Sequence, residues 1–149
     1  DNRRSRGLGD VYKRQAGYWA NWAGDHRMVS IRTSTSSSNS ARIEHRTADG
    51  AGNPYIVTSS VLTASLLGIK NKYKLPKAED LDGMENVRAT KHVPSSLSKA
   101  LSALENDSVL KSEIGEKFCN AFIEIKRDEA TRLQDKNIDE VREYYLPFV

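Results

Sequence analysis

The chain has 149 residues, of which 38% are hydrophobic, 7% aromatic and 29% charged, with a formal net charge of +3. That composition describes a folded globular domain or a piece of one, and it excludes a disordered tail or a fibre. The longest apolar run, Ile56 to Ile69, carries Thr58, Ser59, Ser60, Thr63 and Ser65 and falls short of the ~20 residues that a bilayer crossing needs, so no membrane span is expected. The single cysteine, Cys119, cannot close an intrachain disulfide, which points to a reducing, cytoplasmic setting.

Residues 1–15, DNRRSRGLGDVYKRQ, hold five basic residues against two acids and account for the whole positive excess. The remainder is balanced, so no clustered basic body is offered to a nucleic-acid partner. The leader lacks the apolar core of a signal peptide. Its SRGLGDVYKRQ string resembles a translated sequencing-adaptor artefact, with a genuine basic arm as the alternative. On the first reading residues 1–15 are a non-native leader, and 16–149 are the domain portion.

Arg27 to Arg32 alternates, with Val29 and Ile31 on one side and Met28, Ser30 and Arg32 on the other, as in a half-buried strand. Thr33 to Ser40, TSTSSSNS, is wholly polar and reads as a mobile loop. A second strand, Ala41 to Thr47, sets Ile43 and His45 on one face and Arg42, Glu44 and Arg46 on the other. Asn53-Pro54 starts a helix that runs to about Lys70, because Asn caps open N–H groups and Pro suits the first helical position. This helix is small or apolar nearly all round, which predicts burial. Residues 71–95, with Gly83 and two prolines, read as a surface excursion. Ser95 or Ser96 caps a helix bearing Leu97, Ala100, Leu101 and Leu104. Asp107 or Ser108 opens a short turn that Gly115 ends. Glu116 to about Leu133 gives a longer helix with Phe118, Phe122 and Ile125 inward, and Ile138 to Tyr145 closes the chain.

Arg42, Glu44 and Arg46 leave one strand on one side, with Arg27 and Arg32 on the strand before. Guanidinium forks bind carboxylates and phosphates bidentately and stay charged, so arginines without matching acids suit a polyanion. Glu44 is then either the ion-pair partner that holds the cluster or a ligand for a hard divalent cation. Arg27 and Arg32 have opposite strand parity and need a bulge to reach one site. His26 and His45 flank the cluster, with His45 expected in the core beside Ile43. Cys119, among Phe118, Ala121 and Phe122, is expected to pack as a small hydrophobe. Trp19 and Trp22 either pack beneath the site or line an acceptor pocket. No Walker, dinucleotide-glycine or G-x-S-x-G pattern is present.

ARIEHRTADGAGNPY, Ala41 to Tyr55, resembles the R-I-E-x-R-x-x-D-x-x-x-N-P-Y signature of the glutamine synthetase catalytic domain. Arg42, Ile43, Glu44, Arg46, Asp49, Asn53, Pro54 and Tyr55 are all in register. HRMVSIR is similar to the family's N-R-x-x-x-I-R segment, with His26 for Asn, and LLGIKNK, VPSSLSKALSALENDSVL and EIKRDE continue the likeness. The resemblance implies an α+β fold, the C-terminal part of a catalytic domain with antiparallel strands packed against a group of helices. It implies a cytoplasmic enzyme of nitrogen metabolism that uses ATP and Mg2+ or Mn2+ to phosphorylate the γ-carboxylate of glutamate and condense it with ammonia. A γ-glutamylamine or polyamine ligase is the alternative acceptor reading, towards which NWAGDHR leans. A non-catalytic relative for phosphate-ligand binding or assembly is the alternative from another class. Carried over residue by residue, Glu44 would bind metal and Arg42 the nucleotide, Arg46 would hold glutamate, and Arg27 and Arg32 would neutralise the transferring phosphoryl group. The family's ring-shaped homo-oligomers and its further metal carboxylates imply that these residues alone are inactive.

Overall fold

The computed structural model describes residues 17–34, 38–49, 52–82 and 86–148. The predicted leader and part of the polar loop, residues 35–37, lie outside them. The fold is α+β, as expected, and divides into two units, one drawn from residues 1–48 and 74–93, the other from 49–73 and 94–149.

The first unit is a three-stranded sheet in the order β1 (Trp22–Gly24), β2 (Ile31–Ser34), β3 (Arg42–His45), with a 3-10 turn at Ser38–Ser40. β2 and β3 are antiparallel, with Arg32 opposite Glu44 and Ser34 opposite Arg42. The antiparallel pairing of the two expected strands is thus present, and β1, which the sequence pattern did not include, adds a parallel neighbour to β2 with Trp22 opposite Ile31. Parallel neighbours usually need a crossover of about a dozen residues or more. β1 is only three residues long, so the return path is roughly 10 Å and a tight turn spans it. Asp25, at φ 51°, opens that turn, and His26 Nδ1 accepts the Met28 N–H within it.

The turn also displaces the first predicted strand. Arg27 to Ser30 lies in it, and extended pairing starts at Ile31 and takes in Thr33 and Ser34, which had read as loop. Those polar residues join the sheet because β3 gives their backbones ladder partners. Val29 and Ala23 form the buried apolar centre. Among the described residues, 74–93 carry no helix or strand beyond the Trp19–His92 bridge and are mostly exposed, as a surface excursion should be, but one point of the segment is anchored in the sheet unit. Glu79 is buried, its N–H bonds Trp22 O at 2.8 Å, and the Trp22 indole N–H reaches Pro76 O at 2.8 Å.

The second unit is helical: α1 (Pro54–Lys70), α2 (Leu97–Asn106), α3 (Ser108–Ile114), α4 (Glu116–Leu133) and α5 (Ile138–Tyr145). Local signals set its boundaries. Asn53 Oδ1 accepts the Tyr55 and Ile56 N–H groups, Ser96 caps α2, and Asp107 caps α3. Gly115, at φ 118°, joins α3 to α4 in one residue, a backbone that side chains other than glycine rarely adopt. Asn137 and Glu140 close a reciprocal capping box on α5. Leu67, Leu101, Cys119 and Ile123 are the buried apolar residues here.

Two burial expectations fail. On α1 only Leu67 is buried, while Tyr55, Leu62, Leu66 and Ile69 are exposed, because α3 is its main helical neighbour and covers one narrow side. On α4 the inward pair is Cys119 and Ile123, one turn apart. Phe118 and Ile125 are exposed, and Phe118 stacks on half-buried Phe122 with ring centroids 6.4 Å apart. Cys119 packs as the small hydrophobe it was expected to be. Among the described residues no helix is long and apolar enough to cross a membrane.

Candidate functional site

The arginine cluster belongs to the sheet unit, and the β2–β3 register builds its centre. Opposition of Arg32 and Glu44 puts both side chains on one face, and Arg42, two residues before Glu44, shares it. Arg32 Nη2 lies 3.1 Å and Arg42 Nε 3.2 Å from the same oxygen, Glu44 Oε1. Arg42 Nη1 also reaches Ser40 O at 3.5 Å. Side-chain exposure rises from 18% for Arg32 through 32% for Glu44 to 52% for Arg42, so the carboxylate is shared but not sealed. Arg32 Nε is buried and has no hydrogen-bond partner among the described residues. A buried donor left unmet costs ~1–3 kcal/mol, so this guanidinium holds a spare N–H for an acceptor.

Arg46 follows β3, and its N–H donates to Ser30 O at 2.9 Å. Its guanidinium donates through Nη1 to the backbone oxygen of Arg27. Arg27 itself lies in the turn before β2 and not on a strand, so the parity conflict with Arg32 disappears and no bulge is needed. The side chain of Arg27 is not brought to Glu44. The structure therefore joins Arg32, Arg42 and Glu44 directly, and brings Arg46 to the main chain of Arg27.

His45 corrects another expectation: it is exposed, with Nε2 3.4 Å from Thr47 Oγ1, and its neighbour Ile43 is exposed too. That face of the short sheet is not the core. Trp22 lies in the same cross-strand row as Ile31 and His45, opposite the Arg32–Glu44 face. His26 is a staple: Nδ1 accepts the Met28 N–H, so Nε2 carries the proton shared with Leu81 O at 2.8 Å.

Below the cluster lies a buried polar network that no local pattern announced. Asn21 Oδ1 accepts the Ser30 N–H at 3.1 Å, Asn21 Nδ2 lies 3.5 Å from Glu79 Oε2, and Ser30 Oγ donates to Trp19 O. Asn21 and Glu79 are 58 positions apart, beyond any periodicity argument.

Among the described residues no group of three or more His, Cys, Asp and Glu side chains comes together. A hard divalent cation takes about six oxygen ligands, and Glu44 offers one carboxylate whose Oε1 is already held by two arginines. These residues do not by themselves fit a metal ion. What they build is a half-open surface on which two arginines, Arg32 and Arg42, share one carboxylate, an excess of positive charge suited to an oxyanion.

A family model described as "Glutamine synthetase, catalytic domain" matches residues 10–145. Glutamine synthetase of Staphylococcus aureus strain MW2 is 37% identical over 111 residues, covering 70% of this chain and 25% of that protein. The Staphylococcus epidermidis enzyme is 32% identical over 131 residues, covering 84% and 29%. A solved structure titled "Apo GmaS without ligand" superposes with a TM-score of 0.70 at 26% identity, covering 94% of this chain and 35% of that one. The chain thus spans about a quarter of the length of these curated relatives. With the signature residues on β3 and the cap of α1 in place, the chain belongs to the glutamine synthetase family and represents part of its catalytic domain.

Proposed function

We propose that this chain is the phosphoryl-handling part of an ATP-dependent carbon–nitrogen ligase that activates the γ-carboxylate of glutamate and joins it to ammonia or an amine. The observation that carries the reading is the sharing of Glu44 Oε1 by Arg32 and Arg42, with a donor of Arg32 left unmet. Transfer of a phosphoryl group to a carboxylate spreads negative charge over the equatorial oxygens, and catalysis there is chiefly positioning and fixed positive charge. Glu44 holds two guanidiniums at a set spacing without neutralising the site. Arg42, the more exposed, faces the nucleotide; Arg32 and Arg27 neutralise the phosphoryl group in transit; Arg46 holds glutamate.

Glu44 Oε2, which no described residue engages, would supply one ligand to Mg2+ or Mn2+, the cation that accompanies ATP. The remaining ligands would come from elsewhere in a ring-shaped homo-oligomer, and the 149-residue chain by itself should not turn over.

The test is a segment exchange. The stretch of S. aureus glutamine synthetase matched here is replaced by its counterpart from this chain, and γ-glutamyl hydroxamate is measured from glutamate, ATP and hydroxylamine. The assembled chimera should be active, and Arg27→Ala or Arg32→Ala should lower its turnover by about 10²-fold or more. An assembled chimera that forms no hydroxamate, or one indifferent to both substitutions, would refute the assignment.

A further inference from the structure

Four polar side chains are buried among the described residues: Asn21, Ser30, Ser34 and Glu79. The side chains of Glu79 and Asn21 and the backbone N–H of Ser30 make one hydrogen-bonded chain that ends two residues before Arg32 of the arginine site. We infer that Asn21 and Glu79 are positioning residues for that site: Glu79 fixes the Asn21 amide, and Asn21 fixes the Ser30–Ile31 main chain that places Arg32 and Arg46. This deepens the anion-site reading and rests on it.

The chemistry of the three groups sets the direction. An asparagine amide has a donor and an acceptor end related by a half-turn, whereas an ionised carboxylate only accepts. Glu79 therefore draws Nδ2 towards itself and leaves Oδ1 to receive the Ser30 N–H. The backbone oxygen of Asn21 takes the next amide, Ile31 N–H, at 3.1 Å. Two successive peptides are thus clamped immediately before Arg32, and Ser30 O in turn receives the Arg46 N–H at 2.9 Å.

Glu79 is itself held by neutral donors. Its Oε1 accepts Leu81 N–H at 3.3 Å, and its Oε2 accepts Arg88 N–H at 2.9 Å. The Arg88 guanidinium is engaged by Asp80, with Nε 2.6 Å from Oδ1 and Nη2 2.9 Å from Oδ2. Burying a carboxylate without a cation on it is costly. What it supplies here is a fixed amide one step from the site.

The test uses the whole 149-residue chain with inorganic sulfate, a dianion at both pH 8 and pH 5, and each variant is compared with the wild type at the same pH. Sulfate affinity and the Ser30 and Arg46 amide resonances are read together. Arg42→Ala, whose guanidinium touches only Glu44 and the Ser40 oxygen among the described residues, should abolish binding and reports on the anion site. Asn21→Asp sets a second carboxyl against Glu79, and such a pair repels when both are ionised but shares a proton in mild acid. Its relative affinity should fall about tenfold at pH 8, and at pH 5 both the affinity and the Ser30 resonance should return to near wild-type values. Glu79→Gln, which turns an NH2 towards Leu81 N–H or Arg88 N–H, should weaken binding at both pH values.

Wild-type affinity at pH 8 in folded Asn21→Asp, or in Glu79→Gln, overturns the positioning role. Should Asn21→Asp fail to fold at pH 8, Glu79→Gln decides by the same readouts. A wild-type chain that takes no sulfate overturns the anion reading instead. Positioning is then upheld if the Ser30 and Arg46 resonances of Asn21→Asp move at pH 8 and return at pH 5, and is refuted if they do not.

Discussion

The two units of this chain are held together by different means. In the helical unit each helix carries its own boundary markers, and ion pairs such as Lys126–Glu129, Arg132–Asp128 and Lys136–Glu140 join residues three or four apart. In the sheet unit the strands are three or four residues long, and the fixing bonds join distant segments: Ala20 to Lys91, Trp22 to Glu79, Val93 to Tyr18. Local bonds form with little loop closure, whereas distant ones must first overcome it. A unit of the second kind exists only when all its segments are present, and its geometry is correspondingly narrow. All five candidate site residues, Arg27, Arg32, Arg42, Glu44 and Arg46, lie in that unit, where a guanidinium can be set by partners far along the chain.

If helix-intrinsic signals alone held the helical unit, its few buried side chains would matter little. Leu101, the buried residue of α2, packs in the α2–α4 contact. Leu101→Ala should destabilise the unit by about 2–5 kcal/mol, seen as a lower urea midpoint in far-ultraviolet ellipticity. A loss below about 1 kcal/mol would place the stability in caps and propensity instead. The next effect in size tests a boundary marker. A Cβ on Gly115 would meet nothing within 4 Å, so Gly115→Ala acts through the backbone alone. At φ 118° it should cost about 1–3 kcal/mol, measured in the same way, and a neutral result would show that the α3–α4 joint relaxes freely.

The contrast also explains what the amino-acid sequence discloses. Asn53-Pro54, Ser96, Asp107 and Gly115 mark helix ends within a turn of themselves, and the helices lie where those residues predict. Faces were harder: Phe118 and Ile125 fit an apolar stripe on α4 as well as Cys119 and Ile123 do, and only the position of α2 decides between them. In the sheet, alternation put Arg42 and Glu44 on one face correctly, because parity within a strand is local. It misplaced β2 and missed β1, since His26, Asn21 and the 74–93 segment set both by bonds spanning up to 58 positions. The arginine–glutamate pairing was thus legible in its residues, and the network beneath it was not.

The smallest expected effect lies where the helical unit borrows the other unit's method and buries a polar contact between helices. Tyr145 of α5 donates its hydroxyl hydrogen to Glu129 Oε1 on α4, and Lys126 Nζ lies 2.7 Å from Glu129 Oε2. Burial pushes the Glu129 carboxyl up, but the hydrogen bonds from Lys126 and Tyr145 outweigh it and leave it below its ordinary range. Burial, the bond to Glu129, and the charges of Glu129, Tyr144 and Asp49 push the Tyr145 phenol up to about 12. The fold favours the neutral phenol. Its contribution is therefore complete below the ordinary tyrosine value of about 10 and is lost as pH rises through about 12. Tyr145→Phe should cost about 0.5–1.5 kcal/mol at neutral pH, and the gap to the wild type should close across that alkaline window. Absorbance at 295 nm supplies the check: of the six tyrosines, one should ionise last in the wild type, and that late phase should vanish in Tyr145→Phe. A single step shared by all six would mean that α5 is held on α4 by apolar packing alone.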